Sequence, residues 1–294
     1  MSVRDDSIQT TRRGRAQGLG AALVCALLAA ACTPDSIGTG VSADREVVGS
    51  PANIASLSEV IKANPNDPES YNMRGTALGE AGRLSRAVED FTKAISLDPR
   101  FYQAYGNRAL ALRRLGRLEE ARKDYDAALQ LQPTYDIAYI GRGDLYREAG
   151  QVTLALNDYN RAIQLNSSSP RAYHNRGLIF QAQGQHRFAI EDFSTAISYN
   201  NSAPEPYNAR GISYLALNDL TNALDDFNTA VARNEGFAEG WANQGVVYER
   251  RGDLNKARSS YNRAISRESG NETARDGLRR INSGRTVQSG SVSQ

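Results

Sequence analysis

Side-chain size recurs every 34 residues from Pro68 to Asn271, and this constrains the fold more than any other feature of the sequence. Written in rows of that length, alanine fills one column at Ala87, Ala121, Ala155, Ala189, Ala223 and Ala257. It fills a second at Ala94, Ala128, Ala162, Ala196, Ala230 and Ala264. Aromatic residues hold two more columns: Tyr71, Tyr105, Tyr139, Tyr173, Tyr207 and Trp241, then Phe91, Tyr125, Tyr159, Phe193, Phe227 and Tyr261. A fifth carries only Gly or Ala: Gly75, Ala109, Gly143, Gly177, Gly211 and Gly245.

Within one row the apolar positions have helical spacing twice over. Tyr139, Gly143 and Tyr146 form one stripe, Gly150 breaks it, and Ala155, Tyr159 and Ala162 form the next. Each row is therefore predicted to be an antiparallel helix pair. The small columns are expected to mark the closest approach of the two helices, Gly143 against Ala155 for example, where a larger side chain would overpack by about 1–3 kcal/mol. A single pair cannot bury both of its faces, so the rows must stack on one another.

Aromatic, Gly or Ala four residues on, then Ala, aromatic and Ala: this register resembles the tetratricopeptide repeat, over residues 68–271. The resemblance implies an all-α, right-handed superhelical solenoid of antiparallel helix pairs. The first helix of each row would line the concave side, and the partners would be other proteins or peptides. Six repeats are expected, with a half-repeat helix over 53–67 (Ile54, Leu57, Val60 and Ile61) covering the first row. A cap helix over 272–282 (Ala274, Leu278 and Ile281, with Arg275, Arg279 and Arg280 off the stripe) would cover the last. The polar tail, 283–294, is expected to be disordered.

Two charged columns follow the same period. Arg74, Arg108, Arg142, Arg176 and Arg210 match Asp90, Asp124, Asp158, Asp192 and Asp226, and in the sixth row both change together, to Gln244 and Ser260. Joint loss predicts a partly shielded ion-pair ladder inside the rows, each exposed rung contributing about 0–1 kcal/mol. An arginine stripe for an anionic ligand is the alternative, opposed by the aspartate available to each arginine.

The residue after each packing aromatic, and the one four later, lie about 100° from the buried stripe and are predicted to face the groove. The resulting strip contains Leu110, Ile140, His174, Leu178, Asn208, Ile212 and Val246, an apolar surface with polar anchors suited to an extended segment or helix of a partner. The same residues could instead simply fill space between adjacent first helices. Some relatives clamp a peptide carboxylate with lysines at these sites, and this chain has none there.

No catalytic or metal-binding constellation emerges. His174 and His186, the two histidines, fall at opposite ends of one helix pair, as a groove residue and a surface residue, without a Cys or second His at ligand spacing. No enzyme activity and no cofactor are expected. Four arginines and two aspartates among the first fifteen residues account for the whole formal net charge of +2, so the remainder is balanced and offers no footprint for nucleic acid.

The N-terminus reads as an export signal over residues 1–31: a cationic start, a short Ala/Leu stretch from Ala16 to Ala31, then Cys32. Ala29-Ala30-Ala31 fits an ordinary cleavage site, whereas Leu28 to Cys32 resembles a bacterial lipoprotein box and is favoured. In that case Cys32 carries the lipid, palmitate included, and residues 32–52 form a flexible tether of about 25 Å. Signal, repeats and size resemble the NlpI-type outer-membrane lipoproteins, adaptors that gather peptidoglycan hydrolases and a processing protease in the periplasm. A pilotin-like assembly factor for a pilus or secretion system is the alternative, and a homodimer stays open.

Overall fold

The computed structural model describes residues 47–284, and within them the secondary structure is helical throughout, with no strand among the described residues. Cys32, expected to carry the lipid, the expected export signal and most of the expected tether lie outside the described residues. A lone helix, α1 (Pro51–Ala63), precedes six pairs: α2 (Pro68–Glu80) with α3 (Leu84–Leu97), α4 (Tyr102–Arg114) with α5 (Leu118–Leu131), α6 (Asp136–Glu148) with α7 (Val152–Leu165), α8 (Pro170–Ala182) with α9 (His186–Tyr199), α10 (Pro204–Ala216) with α11 (Leu220–Arg233), and α12 (Ala238–Arg250) with α13 (Leu254–Arg267). A last helix, α14 (Glu272–Asn282), closes the array.

Helix α1 starts and stops earlier than the half repeat expected over 53–67. The Ser50 hydroxyl accepts from the Asn53 N–H and Pro51 supplies a ready-made first turn, so the helix begins inside the supposed tether. It ends before Asn64-Pro65 because proline cannot continue it, and Asp67 already caps α2 by accepting from Glu69 and Ser70. Helix α14 is capped by Asn271, whose side chain accepts from Ala274 N–H.

The turn inside each pair needs one left-handed residue. Gly82, Gly116, Gly150, Gly184 and Gly252 supply it, and in the fifth repeat Asn218 takes the same conformation at φ 61°.

Both alanine columns are wholly buried, and the second-helix aromatics from Phe91 to Tyr261 are nearly so. Nearest to Gly143 is a ring: a Cβ on Gly143 would stand 2.7 Å from Cε1 of Tyr159, and Gly75, Gly177, Gly211 and Gly245 meet Phe91, Phe193, Phe227 and Tyr261 in the same way. The glycines make room for a ring, because an aromatic four residues past the small alanine is what actually reaches across the pair. In the second repeat, where Ala109 holds that position, the space beside Tyr125 is opened by Gly141 of the next repeat.

Neighbouring first helices touch along the array, α2 with α4, α4 with α6 and onward to α12 with α14, whereas the second helices pack chiefly against the helices adjacent to them in sequence. First helices are thus more closely spaced than second ones, which bends the stack into a superhelix with the first helices on its inner wall. No described helix is long and apolar enough to cross a membrane.

Candidate interaction surface: the inner wall

Two polar systems run through the stack. The first is the ladder. Each arginine donates twice to the aspartate of its own repeat, at 2.6–2.9 Å, from Arg74–Asp90 through Arg108–Asp124, Arg142–Asp158, Arg176–Asp192 and Arg210–Asp226. The aspartates are buried and the arginines partly so, in keeping with the shielded ladder that the sequence predicts. A third bond goes to the preceding second helix: Ser58, Thr92, Asp126, Asn160 and Ser194 each accept from Nη1. The ladder therefore joins repeats as well as helices within them.

Each guanidinium also lies 5.5–5.8 Å from the ring of its first-helix tyrosine. The paired aspartate holds the pKa of Arg142, Arg176 and Arg210 above the ordinary arginine value against the opposing effect of burial. In the sixth repeat Ser260 donates to Gln244 at 2.6 Å and Gln244 donates to Asn228 at 2.7 Å, a neutral copy of the same bridge.

The second system is the seam between neighbouring first helices; one Asn–Asn bridge recurs in it, and the other steps use different groups. Asn107 donates to Asn72 between α4 and α2, and Asn243 donates to Asn208 between α12 and α10. Gln181 donates to the Ala209 carbonyl and to Ser213 between α8 and α10. Arg280 of α14 forks onto Glu249 of α12 at 2.9 Å, and Tyr261 donates to the same carboxylate. Arg280 was expected off the buried stripe of the cap, yet it fastens that cap to the sixth repeat.

The densest node is Asp144 on α6, 3% exposed. Its oxygens accept from Arg113 of α4 at 3.1 Å, Arg171 of α8 at 2.5 Å, Asn175 of α8 at 2.6 Å and Tyr159 of α7 at 2.8 Å. Burial pushes the Asp144 pKa up, but Arg171, Arg113 and the Tyr159 hydroxyl outweigh it and hold the carboxyl below the ordinary value. Arg113 also reaches Glu148 at 3.1 Å.

The predicted strip falls into this seam rather than onto an open apolar floor. Ile140, His174 and Asn208 are buried. Leu178 packs against Ala189, Phe193 and Ala209, and Ile212 and Val246 pack against the cluster around Phe227 and Val247. Leu110 is half-buried. His174 stands 5.5 Å from the Phe193 ring, its pKa pushed down to about 4 by burial and by Arg147. His186 is half-buried at the start of α9.

Sequence reasoning missed Arg113, Arg147 and Arg171, because their columns hold no constant residue type. It also missed the 34-residue column of Ser, Thr, Asp and Asn that completes the ladder, although that column was there to be read.

Among the described residues no group of three or more His, Cys, Asp or Glu could hold a metal ion. Family models of the tetratricopeptide repeat match residues 72–136 and 208–272. Further models of the same repeat match 143–184 and 170–202. The chain is a tetratricopeptide-repeat protein, a scaffold for protein–protein interaction.

Solved structures share the fold at low identity. An anaphase-promoting-complex assembly, Cut9–Hcn1, matches with TM-score 0.72 and 18% identity, over 81% of this chain and 47% of that one, so the chain spans about half of that relative. Pseudomonas aeruginosa pilF matches with TM-score 0.65 and 16% identity, over 72% of this chain and 96% of its own. YrrB, described as a TPR protein with an unusual peptide-binding site, matches with TM-score 0.52 and 24% identity, over 65% and 99%. No curated protein matches by sequence.

Proposed function

We propose that the chain is a lipid-anchored, periplasm-facing adaptor of the outer membrane, without catalytic activity, that captures partner proteins along its inner wall. The observation supporting this reading is the contrast on the wall itself: the packing columns stay fixed, while the seam residues change from repeat to repeat. A fixed frame with a varied lining is what a surface selective for particular partners needs.

The anchor rests on the cationic start, the short apolar stretch and Cys32. On this reading the partners are peptidoglycan hydrolases and a processing protease. The second reading, an assembly factor for a pilus or secretion system, draws support from the fold likeness to pilF along nearly all of that protein.

Co-purification from detergent-solubilised envelopes separates the two. Hydrolases and a protease support the adaptor, a ring-forming secretin supports the assembly factor, and recovery of neither overturns both. Labelled palmitate should enter the wild type and not Cys32→Ser; equal labelling would overturn the anchor.

A further inference from the structure

The seam carries polar atoms that the protein itself leaves without a partner. Nε of Arg147, in the last turn of α6, and Nδ1 of His174, in α8, are both buried and neither has a hydrogen-bond partner. Such groups are costly to leave unmet, about 1–3 kcal/mol each and more for a charged one. The carboxylates nearby are already engaged: Asp144 accepts from Arg113, Arg171, Asn175 and Tyr159, and Glu148 accepts from Arg113. Arg147 is left with the Tyr159 hydroxyl, which itself donates to Asp144. Three guanidiniums from α4, α6 and α8 thus face two carboxylates.

Arg147 lies near enough to His174 to lower its pKa, so the two open positions are neighbours that one acceptor can serve. Neutral His174 with its proton on Nδ1 donates, Arg147 Nε donates, and a carboxylate takes both. Arg147 is a half-buried side chain at a helix end, so it can turn to meet a ligand on the wall.

Farther along, the second position of the first helices reverses its sign. Arg171 reaches across the wall to Asp144 from the second position of α8, and the same position carries Glu205 in α10 and Glu239 in α12. Burial raises the Glu239 pKa, and the negative charges of Glu268 and Glu205 raise it further. An acidic ligand that ran on past α8 would be repelled there.

We propose that the wall binds an extended partner segment with two charge blocks: an acidic block over α4–α8, one carboxylate meeting Arg147 and His174, and a basic block over α10–α12. This rests on the scaffold reading above and names the chemistry of the segment it captures. First helices are about 10 Å apart, so α6 and α10 are separated by about 20 Å, or about six extended residues from block to block.

The test uses the full-length chain in detergent and fluorescein-labelled peptides of equal length, read by anisotropy. One carries about four aspartates, a Gly/Ser spacer and about four lysines; the others are all-aspartate, all-lysine and uncharged. The two-block peptide should bind at least tenfold more tightly than the uncharged one and weaken at least tenfold with Arg147→Glu. Glu205→Lys with Glu239→Lys should weaken it similarly and strengthen the all-aspartate peptide. Arg147→Gln, with the helical signal and melting midpoint recorded, stands in should Arg147→Glu unfold. Undiminished binding by both Arg147 variants, or equal binding of the uncharged peptide, overturns the inference and leaves the scaffold reading intact. No binding by any of the four also overturns it, while the scaffold reading is judged separately by co-purification.

Discussion

The ladder and the inner-wall seam use the same chemistry, guanidinium against carboxylate, to different ends. In the ladder one bridge is built five times in register and copied in neutral form by Gln244 and Ser260. In the seam Asp144 gathers two arginines, a tyrosine and an asparagine across the two steps from α4 to α6 and from α6 to α8, and the steps beyond use other groups. A device that every repeat needs must recur with the repeat. A device that does not recur is released from packing duty and can be shaped to a partner.

The largest effect should come from breaking the node. Asp144→Ala takes from Arg171 its carboxylate and from Arg113 one of two, and should cost about 3–5 kcal/mol in urea unfolding, the range for a broken buried pair. A loss below about 1 kcal/mol would mean the node is solvated. One rung of the ladder should cost less: Asp158→Ala about 3 kcal/mol, with coupling to Arg142→Ala of about 1–3 kcal/mol in a double-mutant cycle. Zero coupling would remove the ladder from the account.

The comparison also tells which parts of the sequence were readable. The helix pairs, the turn column and the ladder could be read because 34-residue recurrence exposes any position under a constant physical demand: a ring to admit, a left-handed turn, a charge to match. Even so, recurrence identifies a column without identifying its nearest contact, which at Gly143 is the ring of Tyr159. The seam was illegible for the opposite reason. Arg113 and Arg147 share a column that holds Gly, Gln, Leu and Glu in the other repeats, and the Arg171 column holds Glu, Gln and Ile, so no constant residue type selects them. The strip lies within the seam because first helices approach closely enough to bury Ile140 and half-bury Leu178, Ile212 and Val246, residues that would lie open on an isolated helix.

His174 sharpens the contrast through pH. Its folded pKa is pushed down to about 4 from 6.5, so its contribution to stability is fully present above pH 6.5 and is lost as pH falls toward 4. The fall should amount to about 2–3 kcal/mol and be absent in His174→Gln, measured as urea midpoints across that range. Ring access is a smaller effect: Gly143→Ala pushes a Cβ onto Tyr159 and should cost about 1–3 kcal/mol, whereas Gly79→Ala, with open space around it, should stabilise by under about 1 kcal/mol. Thermal midpoints moving the same way for both would contradict the packing described. Smallest of all, Asn218→Gly should relieve the left-handed turn by about 0.5 kcal/mol in the same melts, and a loss would show that the asparagine side chain matters more than its backbone.

The division between frame and lining is tested most directly by one affinity measurement. Take the partner recovered by co-purification and titrate it, by calorimetry, into the wild type, Arg176→Gln and Arg147→Gln. The account predicts that Arg176→Gln, a ladder change, leaves Kd within about twofold while lowering the melting midpoint, and that Arg147→Gln weakens binding at least tenfold. Equal weakening by both variants, or a loss confined to Arg176→Gln, would contradict it.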